Sequence, residues 1–308
     1  MPPQLASLFN TTLATLQRGA LDAFELALAF AVIAFFALGP RAFVTKARTA
    51  TGEITTNVTL NIFDLIVITP LLGLALGVMG AWMQTNGVAL VQPAFWHQLP
   101  APLVGLIAIF AGDFIGYWRH RLEHTPPLWP AHAIHHSDTR MTWTTIFRFH
   151  PINRFSTGII DTGVLALCGF PPEALFLNNI VRHYWGSFIH MDLPWTFGIL
   201  GRVICSPVMH RWHHIRDADG AGVNFATVFS VFDQAFGTYS VPGPCTMPLG
   251  VRDDIGPSAA SQLWHPFKVG GRYLLSHSGA RAARTRNPGA NDALCEPLGS
   301  GSHSVRPE

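Results

Sequence analysis

Residues 102–124 read PLVGLIAIFAGDFIGYWRHRLEH, an apolar run over about 102–118 followed at once by two histidines four positions apart. The run is just long enough to cross a bilayer, which takes about 20 residues. On a helix, positions i and i+4 share a face, so His120 and His124 can grip one metal. Two further clusters follow: HAIHH at 132–136 and HRWHH at 210–214. His132 is close to His135 (i+3) and His136 (i+4), while the adjacent pair point about 100° apart. One neighbour can therefore serve a first metal and the other a second. His210, His213 and His214 repeat the arrangement. Eight clustered imidazoles exceed what one ion can use, so the pattern predicts two metals.

Composition sets the environment. Of 308 residues, 49% are apolar and 12% charged, about half the usual charged fraction of a soluble domain. Mean hydropathy is +0.28. The chain reads as an integral membrane protein. A net charge of +2 with no basic block gives no footing for nucleic acid. Cys168, Cys205, Cys245 and Cys295 form no C-x2-C pair, which argues against a structural zinc site, an iron–sulfur cluster or a disulfide framework. Met1 to Gly19 makes a poor secretory signal, lacking a cationic stretch before an apolar core.

Two apolar runs precede the third, near 22–39 and 62–83, and Pro70 predicts a kink in the second. Weaker runs near 155–170 and 173–190 meet at Phe170-Pro171-Pro172 and predict a hairpin that either spans or re-enters. Residues 40–60 carry Arg41, Lys46 and Arg48, whereas 84–101 carry no Lys or Arg. The positive-inside rule puts the former in the cytoplasm. The third helix then delivers His120 to the cytoplasmic face, and the hairpin returns the chain there for the last cluster. The expected architecture is all-α: N-terminal transmembrane helices and loops over 1–101, a histidine-box catalytic region over 102–240, and a C-terminal extension over 241–308. Its end, from about 279, is rich in Gly, Pro, Ser and Arg and predicts disorder.

Asp113, Tyr117, His120 and His124 form one stripe of the third helix. An aspartate within a membrane run needs a partner. It can orient a ligand histidine through its second ring nitrogen, or bond a Tyr or Trp in helix packing. His97, His265, His277 and His303 read as ordinary lone histidines. HRLEH at 120–124 also matches the H-x-x-E-H zinc-protease signature, with Glu123 as general base of a membrane zinc hydrolase. That alternative leaves six clustered histidines unused. A bis-histidine haem protein would pair histidines across helices rather than pack them side by side. Glu123→Gln is expected to silence a hydrolase and to leave a two-metal enzyme built on the clustered histidines little changed.

The boxes resemble the fatty acid hydroxylase / sterol desaturase superfamily of membrane di-iron enzymes, over about 105–240. Asp113 through His124 is similar to the first box, WPAHAIHHS (129–137) to the second, and FRFHP (147–151) to the segment that follows it. MHRWHHIRD (209–217) with NFATVFSVFDQAFGTY (224–239) is similar to the third box and its ending. The resemblance adds a lone histidine between the second and third boxes, here His190, with His183 a weaker choice. The metal ligands implied are His120, His124, His132, His135, His136, His190, His210, His213 and His214. Two departures stand out: Asn153 where an acidic residue is frequent, and Asp192 where Asn is frequent.

The resemblance implies two iron ions, O2 as co-substrate, and oxidation of an unactivated C–H bond in a lipid from the bilayer. Hydroxylation is expected over desaturation, because rebound needs no second abstraction. No cytochrome b5 His-Pro-Gly-Gly signature, G-x-G-x-x-G loop or ferredoxin cysteine set is present. A separate ferredoxin or cytochrome with its reductase is therefore expected, docking where Arg119, Arg121, Arg140, Arg211 and Arg216 lie near the clusters.

Overall fold

In the computed structural model, residues 3–216 and 222–269 are described. The expected disordered tail, with His277, His303 and Cys295, lies outside them, as does Asp217. The described residues are helical, apart from loops and one isolated bridge between Ile215 and Leu249.

Helix α1 (Pro3–Leu38) stops at Gly39, whose φ of 79° suits glycine, and Pro40 opens α2 (Pro40–Thr49). Helix α3 (Thr51–Thr85) has 35 residues, about 52 Å at the usual rise. That exceeds a hydrocarbon core of about 30 Å, so its first turns can stand clear of the apolar slab. At Pro70, where a kink is expected, the helix carries a π-helical stretch, Asp64–Ile68, just before the proline, and stays helical throughout. A proline ring collides with the carbonyl four residues back. The wider π turn covers that carbonyl, at Ile66. Helix α4 (Ala101–Glu123) follows. Gln17–Leu38, Thr51–Thr85 and Ala101–Glu123 are long and apolar enough to cross a membrane. Their outer faces leave Phe36, Leu74, Val78 and Trp82 exposed, a surface made for lipid.

After α5 (Trp129–His136) comes the hairpin: α6, over 151–167 with a π-helical middle at Thr157–Thr162, and α7 (Pro172–Ile189). Gly105, Gly112 and Gly116 of α4 face Leu177, Asn178 and Arg182 of α7. A Cβ on Gly116 would sit 1.9 Å from the Arg182 guanidinium. The glycine stripe thus sets the approach of the two helices. The hairpin tip lies against the 84–101 segment: the Leu90 N–H donates to Leu167 O (2.7 Å), and the Trp96 indole donates to Cys168 O (2.9 Å) and stacks on Phe170. The hairpin therefore runs the same depth as α4.

The other end of the bundle gathers residues 40–60 and the histidines. Lys46 pairs with Asp192, which also accepts from Arg211 (2.7 Å). Arg148 is 1% exposed; it pairs with Glu53 and donates to Asn57 Oδ1 (2.6 Å) and Ser137 Oγ (3.1 Å). Asn57 in turn donates to Asp138 (3.1 Å). This buried network ties α3 to the end of α5. Arg148→Met strands Glu53 and should cost about 3–5 kcal/mol. The check is thermal unfolding in detergent: the single variant should melt well below wild type, and Glu53→Met/Arg148→Met should recover much of the loss. An unchanged midpoint for the single variant would remove the network from the account.

Candidate metal centre

Short elements aim each imidazole. The α4 C-terminus presents His120 and His124. Helix α5 presents His132, His135 and His136. His190 caps the C-terminus of α7. Helix α8 (Pro207–His213) starts at Ser206, whose Oγ accepts the Met209 N–H (3.1 Å), with Pro207 in its first turn. It carries His210 and His213, and His214 caps it.

The nine imidazoles fall into two groups: His120, His124, His132, His136 and His213, then His135, His190, His210 and His214. Within each group the ligand atoms lie within 4.8 Å of one another. The adjacent pairs divide between the groups, as helical geometry requires. His183 lies in neither group. His150 caps α6 by accepting the Ile152 N–H at Nδ1 (3.2 Å).

Hydrogen bonds assign the tautomers. His120 Nδ1 lies 2.8 Å from Phe225 O, His213 Nδ1 2.8 Å from Val223 O and His190 Nδ1 2.6 Å from Gly186 O. Only an N–H can meet a carbonyl, so each Nε2 carries a lone pair. Yet the Nε2 atoms of His120 and His213 are 3.0 Å apart, and His190 Nε2 is 2.9 Å from His210 Nε2. The first contact, at least, sets lone pair against lone pair. It is repulsive unless a cation sits between. Imidazole binds first-row metals at about 2.0–2.1 Å, and two such ligands at a right angle are then about 3.0 Å apart. The donor set fits two metal ions. Burial, with neighbouring histidines adding to it, holds His132, His135, His136, His210 and His214 well below the usual imidazole range. Burial also pushes His190 and His213 down to about 4, against their bonds to Gly186 and Val223. Neutral imidazoles are the form that ligates.

The supports around these groups differ from the sequence expectation. Asp113 does not orient a histidine directly. Its carboxylate accepts the backbone N–H groups of Thr227 (3.2 Å), Val228 (3.0 Å) and Phe229 (2.7 Å). It thereby fixes the segment whose Phe225 carbonyl takes the His120 proton. Asn224, at φ 58°, and Asp233, which accepts the Phe225 (2.7 Å) and Ala226 (3.0 Å) N–H groups, hold the same segment. The carboxylate beside a histidine is that of Glu123: its Oε2 lies 3.5 Å from His132 Nδ1, accepts from Arg119 (2.7 Å), and its Oε1 accepts the Ser156 hydroxyl (2.6 Å). Arg119 also donates to Asp161 (2.8 Å), which Arg182 shares (2.7 Å). Arg119 is thus buried and spent, and leaves the docking set; Arg140 and Arg216 are exposed. Asn153 Nδ2 lies 3.4 Å from His132 Nδ1 while Asn153 Oδ1 is buried without a partner. Exchanging the amide's O and N lets His132 Nδ1–H donate to the Asn153 oxygen. Phe149 stacks on His135 at 4.7 Å. Asp64, Asp161 and Arg182 carried a sequence signal that went unused: charges inside apolar runs.

A cavity of about 640 Å³ reaches histidines of both groups, His120, His132, His135, His190 and His210.

Residues 105–238 match the fatty acid hydroxylase family. The chain is 28% identical over 181 residues to an ornithine lipid hydroxylase, OlsE, of Rhizobium tropici, covering 58% of this chain and 55% of the relative. It is 29% identical over 143 residues to alkylglycerol monooxygenase of Homo sapiens (45% and 31%), and 27% identical over 134 residues to Delta(7)-sterol 5(6)-desaturase ERG3B of Gibberella zeae (43% and 40%). The matched stretch spans about half or less of each relative. No solved structure matches the chain.

Proposed function

We propose that this fatty acid hydroxylase-family chain is a membrane oxidoreductase that hydroxylates a C–H bond of a lipid at two irons held by the nine histidines. The observation that carries the reading is the convergence of imidazole lone pairs, in two groups, at the end of a cavity walled by apolar helices. When bound, reduced iron supplies the O2 activation needed to break an unactivated C–H bond. The balance is one C–H bond, one O2, two electrons and two protons giving one alcohol and one water. Desaturation would consume the same reductant and give an alkene and two waters. Oxygen insertion is favoured by the hydroxylase and monooxygenase names among the relatives. The site faces the cytoplasm, because it sits with residues 40–60, which carry Arg41, Lys46 and Arg48.

The chain's own groups do the positioning. Phe225, Val223 and Gly186 carbonyls hold three rings in the ligating tautomer. Glu123, clamped by Arg119 and Ser156, and Asn153 hold His132. Phe149 closes one face of His135.

The zinc-hydrolase alternative asks Glu123 to act as a free base, but its oxygens already serve Arg119 and Ser156. For the same reason Glu123→Gln perturbs either kind of enzyme, and metal content discriminates better. Protein produced with iron in excess and purified in detergent should hold about two irons per chain. One zinc and no iron would return the hydrolase to the front.

Electrons come from a separate ferredoxin or cytochrome with its reductase. Purified protein given only NADPH and O2 should leave both unconsumed above background, and adding a reduced ferredoxin or cytochrome should start turnover. NADPH oxidation coupled to product without a partner would overturn this.

A further inference from the structure

Residues 259–269 form a helix at the metal end of the bundle. Its amphipathicity is inverted. Gln262 and His265 are each 2% exposed, whereas Trp264 and Phe267 stand 67% and 66% exposed, with ring centroids 5.5 Å apart. A helix lying between a protein and water buries its apolar stripe and shows its polar one; this helix does the opposite. Ala260, Trp264, Phe267 and Lys268 fall at i, i+4, i+7 and i+8, one exposed stripe with a cation at its end.

Two attachments fix the depth of this helix. Just before it, Pro257 O accepts the Thr56 hydroxyl of α3 (2.8 Å). Within it, Leu263 O accepts from His150 Nε2 (3.3 Å), and the Phe267 ring centroid lies 5.9 Å from that of His150. Around Thr56 the exposed face of α3 passes from Thr51 and Thr55 to Val58, Ile62 and Ile66. Beside His150 the exposed face of α6 opens on Ile152 and continues at Ile159. Both attachments therefore sit where an outward helix face turns to hydrocarbon, at the edge of the lipid-facing surface. The helix, about 16 Å long, runs along that edge rather than away from it.

We propose that residues 259–269 are an interfacial helix, seating Trp264 and Phe267 among the lipid headgroups of the leaflet at the metal end. The pair continues the apolar surface of Val58, Ile62 and Ile152. An indole suits this depth, with its ring in lipid and its N–H toward water. Lys268 lays its stem along the stripe and carries its ammonium to the phosphates. The bilayer thereby braces the segment that leads into the helix. In that segment Ile255 packs with Trp129, Ala133 and Ile134 of α5, the helix that bears His132, His135 and His136. A soluble partner covering the stripe would not require it to lie at the lipid edge. The seating needs neither iron nor turnover.

Fluorine NMR tests it on the full chain carrying 5-fluorotryptophan, one copy per phosphatidylcholine nanodisc. The resonance missing from Trp264→Phe assigns Trp264. Phosphatidylcholine spin-labelled high on its acyl chain should broaden that resonance severalfold more than a soluble gadolinium chelate does. Broadening by the chelate alone would put Trp264 in water and overturn the proposal. Broadening by neither would mean that protein covers it, and would overturn the proposal as well. In the same nanodiscs, replacing Trp264 and Phe267 together by serine should raise amide hydrogen exchange over 255–269 severalfold, with α4 and α7 unchanged. Unchanged exchange over 255–269 would remove the brace.

Discussion

Replacing His135 by alanine should lower iron from about two to about one per chain, and so should His136→Ala, but each should empty a different site. The two residues are neighbours in sequence, yet His135 converges with His190, His210 and His214, while His136 converges with His120, His124, His132 and His213. The four-histidine group drops to three imidazoles in the first variant. The five-histidine group drops only to four in the second. His135→Ala should therefore be the more severe. Loss of a group that merely supports a ligand costs about 10–100-fold in metal affinity, and loss of a ligand itself should cost at least that. Lipid oxidation should vanish in both, because a two-metal reaction cannot proceed with one. Iron titrations monitored by absorbance and by bound-metal analysis distinguish the variants. If the double variant retained as much iron as either single, the two histidines would share one site and the division would be wrong.

What the sequence made legible was local. Spacings of three and four residues decide which imidazoles share a helix face. The 100° step between neighbours decides that His135 and His136, or His213 and His214, part company. Those rules need no tertiary knowledge, and the two groups follow them. The three long apolar runs were equally visible, and the structure lengthens each. Asp113 was harder to read. It shares a stripe with His120, but its partners Thr227, Val228 and Phe229 lie more than a hundred residues later in the chain. No spacing rule reaches that far. Glu123 was visible only as part of a rival motif. Its pairing with Arg119 at i−4 is an ordinary helix-surface relation that, followed through, would have marked Arg119 as spent rather than as a docking charge. Asp161 and Arg182 belong to apolar runs where a charge demands a partner, and they find one another.

Asp113→Leu should destabilise the protein more than a typical core substitution and should also strip iron from the His120 group. The carboxylate is fully buried, and three backbone N–H groups end on it. Each buried donor left without an acceptor costs about 1–3 kcal/mol. Even with incomplete additivity the sum exceeds about 3 kcal/mol, a large share of the 5–15 kcal/mol that holds most domains together. Arg182, 3.6 Å from the same carboxylate, loses a compensating charge as well. Released from Asp113, the 225–229 segment no longer holds the Phe225 carbonyl at His120 Nδ1. His120 is then free to change tautomer and present an N–H where the metal needs a lone pair. Asp113→Asn keeps one acceptor oxygen in place and should lose less stability and less iron. A purely structural role would lower both metals in step with the folded fraction. A positioning role should deplete the His120 group first, leaving about one iron per folded chain, and retention of both irons in folded Asp113→Leu would sever the link from Asp113 to His120.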